Sequence, residues 1–195
     1  MPFRCEVCGA RFGETGGGAC AHCRRLCCKT HLVTRLGSKA KVCATCANSG
    51  LRCTRLRELP AADVQLLVTE SEQAGLRLVR RLVDEWRDGA NRFDRPGEAL
   101  FGAWRDERLV GVCGLNVDPY AGDDHVGRVR HLYVLVDARR HGVARALMAE
   151  TLAAARGRFS TLRLSTSNPA AARLYESLGF RPVTGRHCTH LLSLA

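Results

Sequence analysis

A basic stretch in the middle of the chain has the residue types of an anion-binding turn. Arg139, Arg140 and His141 precede Gly142, and Ala144 follows two residues later. Small residues let the backbone approach a ligand closely, and the first turn of a helix presents N–H groups without an intrahelical partner. Such amides, together with the positive end of the helix dipole, bind phosphate groups. The pattern therefore predicts an anion-binding turn, and its basic side chains strengthen the positive field.

A second group of candidate functional residues lies on a predicted helix around Tyr175. Asn168 is typical of a helix N-cap and Pro169 of a first helical residue. Gly179 is the expected end of this helix. Helical spacing places four residues on one apolar face: Ala171, Leu174, Tyr175 and Leu178. Tyr175 would therefore face the core while its hydroxyl still needs a partner.

Two strand–helix units must position these groups. The first is a strand with alternating apolar residues at 132, 134 and 136, followed by a helix with apolar residues at 143, 147, 148 and 152. The second is a strand over residues 159–166, followed by the helix that carries Tyr175. The anion-binding turn lies between the strand and the helix of the first unit.

The motif Arg139-x-x-Gly142-x-Ala144, combined with Asn168 and the run Leu174-Tyr175-Glu176-Ser177-Leu178-Gly179-Phe180, resembles the GNAT superfamily of N-acetyltransferases. The resemblance extends over residues 52–195, and its specific part is 129–180. It implies an α+β fold with a mixed central sheet and an acetyl-CoA-dependent enzyme. Val136 stands where the family often has Pro, and Ala144 where it often has Gly. Neither change removes a needed hydrogen-bond donor.

The same resemblance implies a cofactor site. The acetyl-CoA pyrophosphate would lie beside Arg139 on the backbone amides of Arg140, His141, Gly142, Val143, Ala144 and Arg145. The pantetheine arm would pair with the strand at Leu132, Tyr133 and Val134, and the Val134 amide would face the thioester carbonyl. Asn168 would hold the pantetheine or thioester region. Tyr175 would give a proton to the departing thiolate, since a phenol with a pKa of about 10 is neutral at pH 7.

Two site residues keep alternative interpretations. His131 lies on the strand predicted to line the amine site, and an imidazole with a pKa of about 6.5 suits a general base. A single histidine on a strand is also common as a structural residue. Tyr175 could likewise be an ordinary packing aromatic of a helix face.

The cysteines are concentrated at the start of the chain, where nine of the eleven lie within the first 53 residues. An odd total without an apolar signal segment argues against a disulfide framework and favours metal binding in a reducing compartment. The sequence contains no run of 18 apolar residues, so it predicts no membrane-spanning helix. We therefore expect a cytoplasmic protein.

Cysteine and histidine occur there as four regularly spaced pairs: Cys5-x2-Cys8, Cys20-x2-Cys23, Cys28-x2-His31 and Cys43-x2-Cys46. Eight ligands in four pairs suit two tetrahedral zinc ions. The segment has few large apolar side chains, so the metal ions would have to stabilise its fold.

The spacing of these pairs resembles a FYVE-type finger, which, like a RING finger, binds its two zinc ions crosswise. The resemblance implies one site formed by Cys5, Cys8, Cys28 and His31, and another formed by Cys20, Cys23, Cys43 and Cys46. Cys27 is an alternative to Cys28. The basic run that binds phosphoinositides in FYVE domains is mostly missing from residues 17–25. The similarity therefore supports the metal scaffold and argues against phosphoinositide binding.

A formal net charge of +11 and a basic finger favour an acidic partner, such as an acidic protein face. Nucleic acid is disfavoured because no aromatic residues alternate with the basic ones. The basic residues of the finger would also suit an ordinary solvated surface; they are Arg24, Arg25, Lys29, Arg35, Lys39 and Lys41.

The region before the anion-binding turn yields elements but no substrate residues. We expect a strand over 51–59, a helix introduced by a capping box at Thr69 and Glu72 and ending at Gly89, and a hairpin formed by 100–104 and 109–117. Six acidic residues could attract a cationic amine, although each is explained as a helix-surface or turn residue: Asp84, Glu85, Asp94, Asp118, Asp123 and Asp124.

These observations predict a zinc finger at residues 1–47, a linker at 48–51 and an acetyltransferase domain at 52–195. The predicted activity is transfer of an acetyl group from acetyl-CoA to an amine of a small molecule or a protein. The finger would serve for recruitment or docking. The alternative is a zinc-finger adaptor whose second domain binds acetyl-CoA without turnover.

Overall fold

The computed structural model describes residues 2–21, 23–34, 39–43, 46 and 50–194. Tertiary contacts divide the chain into two compact units. The first comprises residues 1–51 together with 136–143, and the second comprises residues 52–135 and 144–195. Arg35 of the basic finger, residues 48 and 49 of the predicted linker and the end residues 1, 47 and 195 of the predicted domains lie outside the described residues.

The first unit contains short antiparallel strand pairs around a small core. Strand β1 (Phe3–Arg4) pairs with β2 (Arg11–Phe12), β3 (Gly17–Ala19) with β4 (Leu26–Cys28), and β5 (Leu32–Thr34) with β6 (Lys41–Cys43). A 3-10 turn, Lys29–His31, joins β4 to β5. The buried cluster consists of cysteines together with Phe12 and Val42. So few large apolar side chains bury too little surface to stabilise the unit by themselves.

The second unit is built on a seven-stranded mixed sheet. Its strands are β7 (Leu51–Arg55), β8 (Ala99–Arg105), β9 (Arg108–Val117), β10 (Val126–Val134), β11 (Thr161–Leu164), β12 (Arg181–Gly185) and β13 (Cys188–Ser193). Their order across the sheet is β12-β13-β11-β10-β9-β8-β7. Strands β10 and β11 are parallel, whereas the pairs β8–β9, β9–β10, β11–β13 and β12–β13 are antiparallel.

Helices α1 (Ala61–Gln73), α2 (Leu78–Asp88), α3 (Val143–Ala155) and α4 (Pro169–Glu176) accompany the sheet. Helix α3 connects the parallel strands β10 and β11, because such strands need a crossover rather than a tight turn. Helices and a mixed sheet confirm the predicted α+β class. In the part of the chain that the structure describes, no helix has both the length and the apolar character needed to span a membrane.

The predicted hairpin is confirmed with slightly longer strands. Its turn has Asp106 at φ +48° and Glu107 at φ +64°. Positive φ at both central residues matches the right-handed twist of the flanking strands in a two-residue turn. The polar sequence between two apolar runs was the signal for this turn.

The predicted capping box is wrong, because Thr69 and Glu72 lie inside helix α1. That helix begins at Ala61, directly after Pro60, and buries Val64, Leu67, Val68 and Ser71. This spacing of three, four and seven residues is the normal pattern of one buried helix face. Helix α2 then begins at Leu78 without a side-chain cap and ends at Gly89 as predicted.

Several predicted strands are too long. The strand over 51–59 ends at Arg55, and the strand over 159–166 covers only Thr161–Leu164. Val136, predicted to continue β10, lies in a 3-10 turn (Val136–Ala138) and is 57% exposed. Apolar alternation alone could not locate these ends, which depend on where the neighbouring strand stops pairing.

Candidate active site

Strands β10 and β11 pair over only part of their lengths. Parallel register joins residues 126–128 of β10 to residues 161–163 of β11. Strand β10 continues to Val134 along β9, whereas β11 ends at Leu164. A gap therefore opens between the two strands beyond Arg128. Leu132, Tyr133 and Val134, predicted to contact pantetheine, lie on β10 along this gap.

A β-bulge interrupts β10 in the same region. Arg130 lies opposite Gly114, and Tyr133 lies opposite Val112, so β10 has one extra residue there. His131 lies in the bulge with φ +56°, a conformation that non-glycine residues rarely adopt. Bulges of this kind redirect side chains and commonly occur beside active sites.

The bulge places His131 beside a carboxylate. Its Nδ1 lies 2.8 Å from the Leu78 carbonyl oxygen, which can only accept, so Nδ1 carries a hydrogen. In the neutral ring Nε2 is then bare, and it lies 3.7 Å from Glu85 Oε2. Protonation at Nε2 would create an ion pair with Glu85.

The pKa values of both groups are lowered, which favours the charged form of Glu85 and the neutral form of His131. His131 and Arg130, whose Nη2 lies 2.9 Å from Oε1, lower the pKa of Glu85 to about 2. The pKa of His131 is lowered from its ordinary value of 6.5, because burial disfavours the imidazolium more than Glu85 favours it. At neutral pH the pair is therefore an ionised carboxylate beside a neutral imidazole.

Residues 139–143 of the predicted anion-binding turn belong to the first unit, and residues 144 and 145 belong to the second. Arg140 and Gly142 have φ values of +65° and +80°, and helix α3 begins at Val143. Because α3 begins there, the amides of its first turn have no acceptor within the helix. Consecutive free amides at a helix start form a concave anion site. The Arg145 side chain donates to Ser177 Oγ at 2.9 Å.

His141 makes two short contacts within the first unit. Its Nδ1 lies 2.7 Å from the Arg139 carbonyl oxygen, and its Nε2 lies 2.6 Å from the Thr34 carbonyl oxygen. Carbonyl oxygens only accept, so a ring nitrogen forms each of these hydrogen bonds by donating. The buried His141 thereby joins the turn to the end of β5.

Helix α4 positions Asn168 and Tyr175. The Asn168 Oδ1 accepts from the amides of Ala170 at 2.9 Å and Ala171 at 3.4 Å, and Pro169 is the first helical residue. The predicted N-cap is thus confirmed, and it occupies the side-chain oxygen. Only the Nδ2 amide of Asn168 remains available for a ligand.

Tyr175 is buried in the second unit, 6% exposed, with its ring edge toward Phe180 at 5.7 Å. Burial, and after it the nearby Cys113, raises the pKa of Tyr175 above its ordinary value of 10. The phenol therefore keeps its proton at neutral pH.

Eight side chains of the first unit form two clusters. One contains Cys5, Cys8, Cys28 and His31, and the other contains Cys20, Cys23, Cys43 and Cys46. Within each cluster the ligand atoms all lie within 4.8 Å of one another. The crosswise grouping is the one implied by the resemblance to FYVE fingers, although the grouping does not establish that family.

The spacing within the clusters fits zinc. Sulfur–sulfur distances are 3.9 Å for Cys8–Cys28 and 3.7 Å for Cys23–Cys43. Tetrahedral zinc with Zn–S bonds of about 2.3 Å requires sulfurs about 3.8 Å apart. Four soft or borderline donors per cluster, without an open position, could hold a structural zinc ion. Cys27 belongs to neither cluster, and its Sγ lies 3.7 Å from the Arg25 carbonyl oxygen.

Comparison with protein families identifies the second unit. The model of the Acetyltransferase (GNAT) family matches residues 64–180, more than half of the 195-residue chain. The chain belongs to the GNAT family. The matched region of this GNAT chain runs from helix α1 to Phe180 and includes the strand gap, the anion-binding turn and Tyr175. The GNAT family uses acetyl-CoA, and the chain is accordingly an N-acetyltransferase.

Solved structures support the GNAT assignment. A protein of Exiguobacterium sp. 255-15 assigned as an acetyltransferase is 30% identical, with a TM-score of 0.66, and the alignment covers 73% of this chain and 93% of that one. An acetyltransferase from Streptococcus agalactiae 2603 has 17% identity, a TM-score of 0.58 and coverages of 74% and 99%. The ribosomal-protein-alanine N-acetyltransferase from Brucella melitensis has 21% identity, a TM-score of 0.56 and coverages of 73% and 99%. The last two similarities concern the fold. Comparison with curated proteins gives no match.

Sequence reasoning missed the residues that surround the GNAT bulge. The sequence gives Glu85 the pattern of a helix-surface acid, yet it pairs with Arg130 and faces His131. No sequence pattern singles out Glu98 and Asn116, which are both buried. Their proximity depends on strand register, which no local sequence pattern reveals.

Proposed function

We propose that this GNAT enzyme transfers an acetyl group to an amine of a small molecule or a protein, and that a two-zinc finger supports its anion-binding turn. Bound acetyl-CoA would supply the acetyl group as an activated thioester. The observation that carries the proposal is the turn at residues 140–143, where Arg140 and Gly142 have positive φ and helix α3 begins. The amides of the first turn of α3, which have no intrahelical acceptor, suit a pyrophosphate.

The strand gap suits the rest of the cosubstrate. Residues 132–134 lie on β10 where β11 no longer pairs with it, so an extended pantetheine arm could run beside them. Val134 would then lie next to the thioester carbonyl, where negative charge develops during attack. The Nδ2 amide of Asn168 would contact the arm, because its oxygen already caps α4.

Tyr175 would act as the general acid. Its buried phenol has a raised pKa and therefore keeps its proton at neutral pH. The hydroxyl would give this proton to sulfur as the carbon–sulfur bond breaks. Transfer to the sulfur prevents expulsion of an unprotonated thiolate into a buried site.

His131 would act as the general base. Its lowered pKa keeps Nε2 bare at neutral pH, and Glu85 would stabilise the imidazolium formed when His131 takes the proton lost by the amine nitrogen. The hydrogen bond from Nδ1 to Leu78 fixes the ring orientation. Glu85 is a positioning residue in this scheme.

The finger would act by supporting the turn. Thr34 ends β5, three residues after the cluster residue His31, and its carbonyl oxygen accepts from His141 at 2.6 Å. Structural zinc at the two clusters would order β5 and hence this hydrogen bond. The proposed role of the finger is therefore to hold the anion-binding turn in shape for pyrophosphate.

The test is release of free CoA from acetyl-CoA by the full-length, zinc-loaded protein in the presence of a panel of primary amines. We expect turnover with at least one amine and tight binding of CoA itself. If the protein binds acetyl-CoA but no amine in the panel yields CoA, the proposed transfer reaction is wrong and the adaptor interpretation gains support.

A further inference from the structure

A cavity of about 400 Å³ lies within the second unit, beside the strand that carries the bulge. It forms where the segment after α2, the start of β8, the end of β9 and the loop before β10 meet. Arg130, the residue before His131, is part of its wall. The cavity therefore lies beside the part of β10 that directly precedes the proposed general base.

The wall of the cavity is acidic in a chain whose formal net charge is +11. Two of its charged residues are neutralised by close ion pairs: Asp118 by Arg128 at 3.3 Å and Arg163 at 3.5 Å, and Arg130 by Glu85. The wall then retains four carboxylates against two guanidinium groups. The carboxylates are those of Asp94, Glu98, Asp123 and Asp124, and the guanidinium groups are those of Arg92 and Arg95.

Asn116 gives an independent indication of a ligand. It is 6% exposed and lines the cavity, and its Nδ2 donates to the Val117 carbonyl oxygen at 2.7 Å. Its Oδ1 is buried without any hydrogen-bond partner among the described residues. A buried polar atom without a partner costs free energy and is uncommon in native structures. A ligand that donates a hydrogen bond would satisfy it.

Glu98 adds a buried charge at the same place. It is 5% exposed, and its Oε1 accepts from the Val117 amide at 3.0 Å. Val117 thus joins Glu98 and Asn116, and both residues line the cavity. Burial of a carboxylate is costly unless a positive or donating group accompanies it. An ammonium group provides both the charge and the hydrogen-bond donors.

We propose that this cavity binds a second positively charged group of the acetyl acceptor, so that the preferred acceptors are linear di- or polycationic amines. This inference rests on the proposed function. Arg130 and Val134 lie opposite Gly114 and Gly111, which are three residues apart on β9, so at about 3.3 Å per residue they are roughly 10 Å apart. An acceptor whose two nitrogens are separated by a comparable distance can place one in the cavity and the other at the thioester.

The experiment compares linear α,ω-diaminoalkanes of four to twelve carbons with monoamines of equal chain length, using release of CoA by the full-length protein. We expect kcat/KM to favour the longer diamines by about tenfold or more, mainly through a lower KM, because one charge-assisted hydrogen bond contributes that much. The cationic group could belong to a free polyamine or to a polypeptide. A lysine-containing peptide tested as a further acceptor distinguishes the two, because only the second source predicts its acetylation. Equal kcat/KM for diamines and monoamines at every length would overturn the proposal.

Two substitutions localise the effect. Asn116→Leu replaces the unpaired oxygen with an apolar group of similar size, and Asp94→Asn removes a carboxylate from an exposed loop residue that does not threaten folding. Both should lower the ratio of diamine to monoamine kcat/KM. Asp63→Asn, in the first turn of α1 and outside the cavity, should preserve the ratio. An unchanged ratio in Asp94→Asn and in a folded Asn116→Leu variant would contradict the assignment.

Calorimetric titration of the protein with 1,8-diaminooctane, without acetyl-CoA, separates this inference from the proposed function. Diamine binding that Asp94→Asn weakens, in a protein that acetylates no amine, would support the cavity and refute the transfer reaction. Acetylation of amines without measurable diamine binding or diamine preference would refute the cavity and leave the transfer reaction standing.

Discussion

A buried phenol keeps its proton and still has a hydroxyl to offer, which is the combination that Tyr175 shows. Tyr175→Phe removes the hydroxyl and leaves the ring contact with Phe180 in place. We expect kcat to fall about 10²-fold, the usual contribution of a positioned general acid. Steady-state kinetics give kcat, and titration with acetyl-CoA should give a Kd close to that of the unsubstituted protein.

Tyr120 provides the matched control for this substitution. It lies in the loop before β10, is 55% exposed and stacks on His187. Tyr120→Phe should therefore leave kcat nearly unchanged. Equal kcat in Tyr175→Phe and Tyr120→Phe would remove Tyr175 from the mechanism and leave it as a packing residue.

His131 should give the enzyme its acidic pH limit. Its folded-state pKa lies below 6.5, so protonation occurs only as the pH falls below that value. We expect kcat/KM to decrease below about pH 6.5. His131→Asn can still donate to Leu78 but lacks the Nε2 base. This variant should have a lower kcat and no such acidic decrease.

A stability measurement checks the same pKa shift independently of turnover. A histidine with a depressed pKa contributes fully above its unfolded value of about 6.5, and the contribution is lost as the pH falls toward the folded value. The free energy of unfolding should therefore decline more between pH 7.5 and 5.5 for the natural chain than for His131→Asn. Parallel urea titrations of both would show equal declines if His131 titrates normally.

Two asparagines show what the sequence reveals about single residues. Asn168 could be predicted as a cap because its partners are the amides two and three residues later. Asn116 could not be recognised, because its significance comes from an unsatisfied oxygen and from a cavity that Glu98, directly before β8, also lines. Hydrogen bonds between residues close in the sequence can be predicted from it, whereas contacts between strands depend on the pairing register.

Among the elements, the anion-binding turn depends most directly on the backbone conformation of a single residue, Gly142. Gly142 has φ +80°, which a residue with a Cβ adopts at a cost of about 1–2 kcal/mol. Gly142→Ala should distort the row of free amides and weaken CoA binding about fivefold to tenfold. Isothermal titration with CoA measures this change.

Gly157 is a suitable comparison for Gly142. It has φ +74° after α3, and a Cβ there would meet no atom within 4 Å. Gly157→Ala should cost similar stability and leave CoA affinity unchanged. If both substitutions weaken CoA binding equally, loss of global stability rather than the shape of the turn explains the effect.

The elements that sequence patterns predicted well are those with local signals. Helices α3 and α4 and the hairpin of β8 and β9 each have a cap, a turn or a clear period. Helix α1 was missed because a plausible capping box inside it suggested a later start. The bulge at His131 and the gap between β10 and β11 had no signal in the residues themselves, since both arise from the way that three strands pair.

For the molecule as a whole, metal content should depend on cluster residues and not on cysteine count. Cys28→Ser should reduce bound zinc from about two ions per chain to about one, because a tetrahedral site with three ligands binds weakly. The variant should also bind CoA more weakly, since β5 follows this cluster and its Thr34 holds His141. Metal analysis of the purified protein and CoA titration provide the two readouts.

The neighbouring Cys27 is an internal control for these readouts. It is buried but belongs to neither cluster. Cys27→Ala should therefore retain two zinc ions and normal CoA affinity. Loss of one ion from both variants would place Cys27 among the ligands, and loss of zinc without any change in CoA affinity would separate the finger from the turn.

The grouping of residues 136–143 with the first unit has a practical consequence for shortened versions of the chain. A fragment starting at Arg52 would contain every residue of the family match and yet lack Thr34, to which His141 donates. Such a fragment would keep its phenol and its strand gap but lose one anchor of the segment that receives phosphate. Loss of the missing residues should therefore raise the Michaelis constant for the thioester more than it impairs folding.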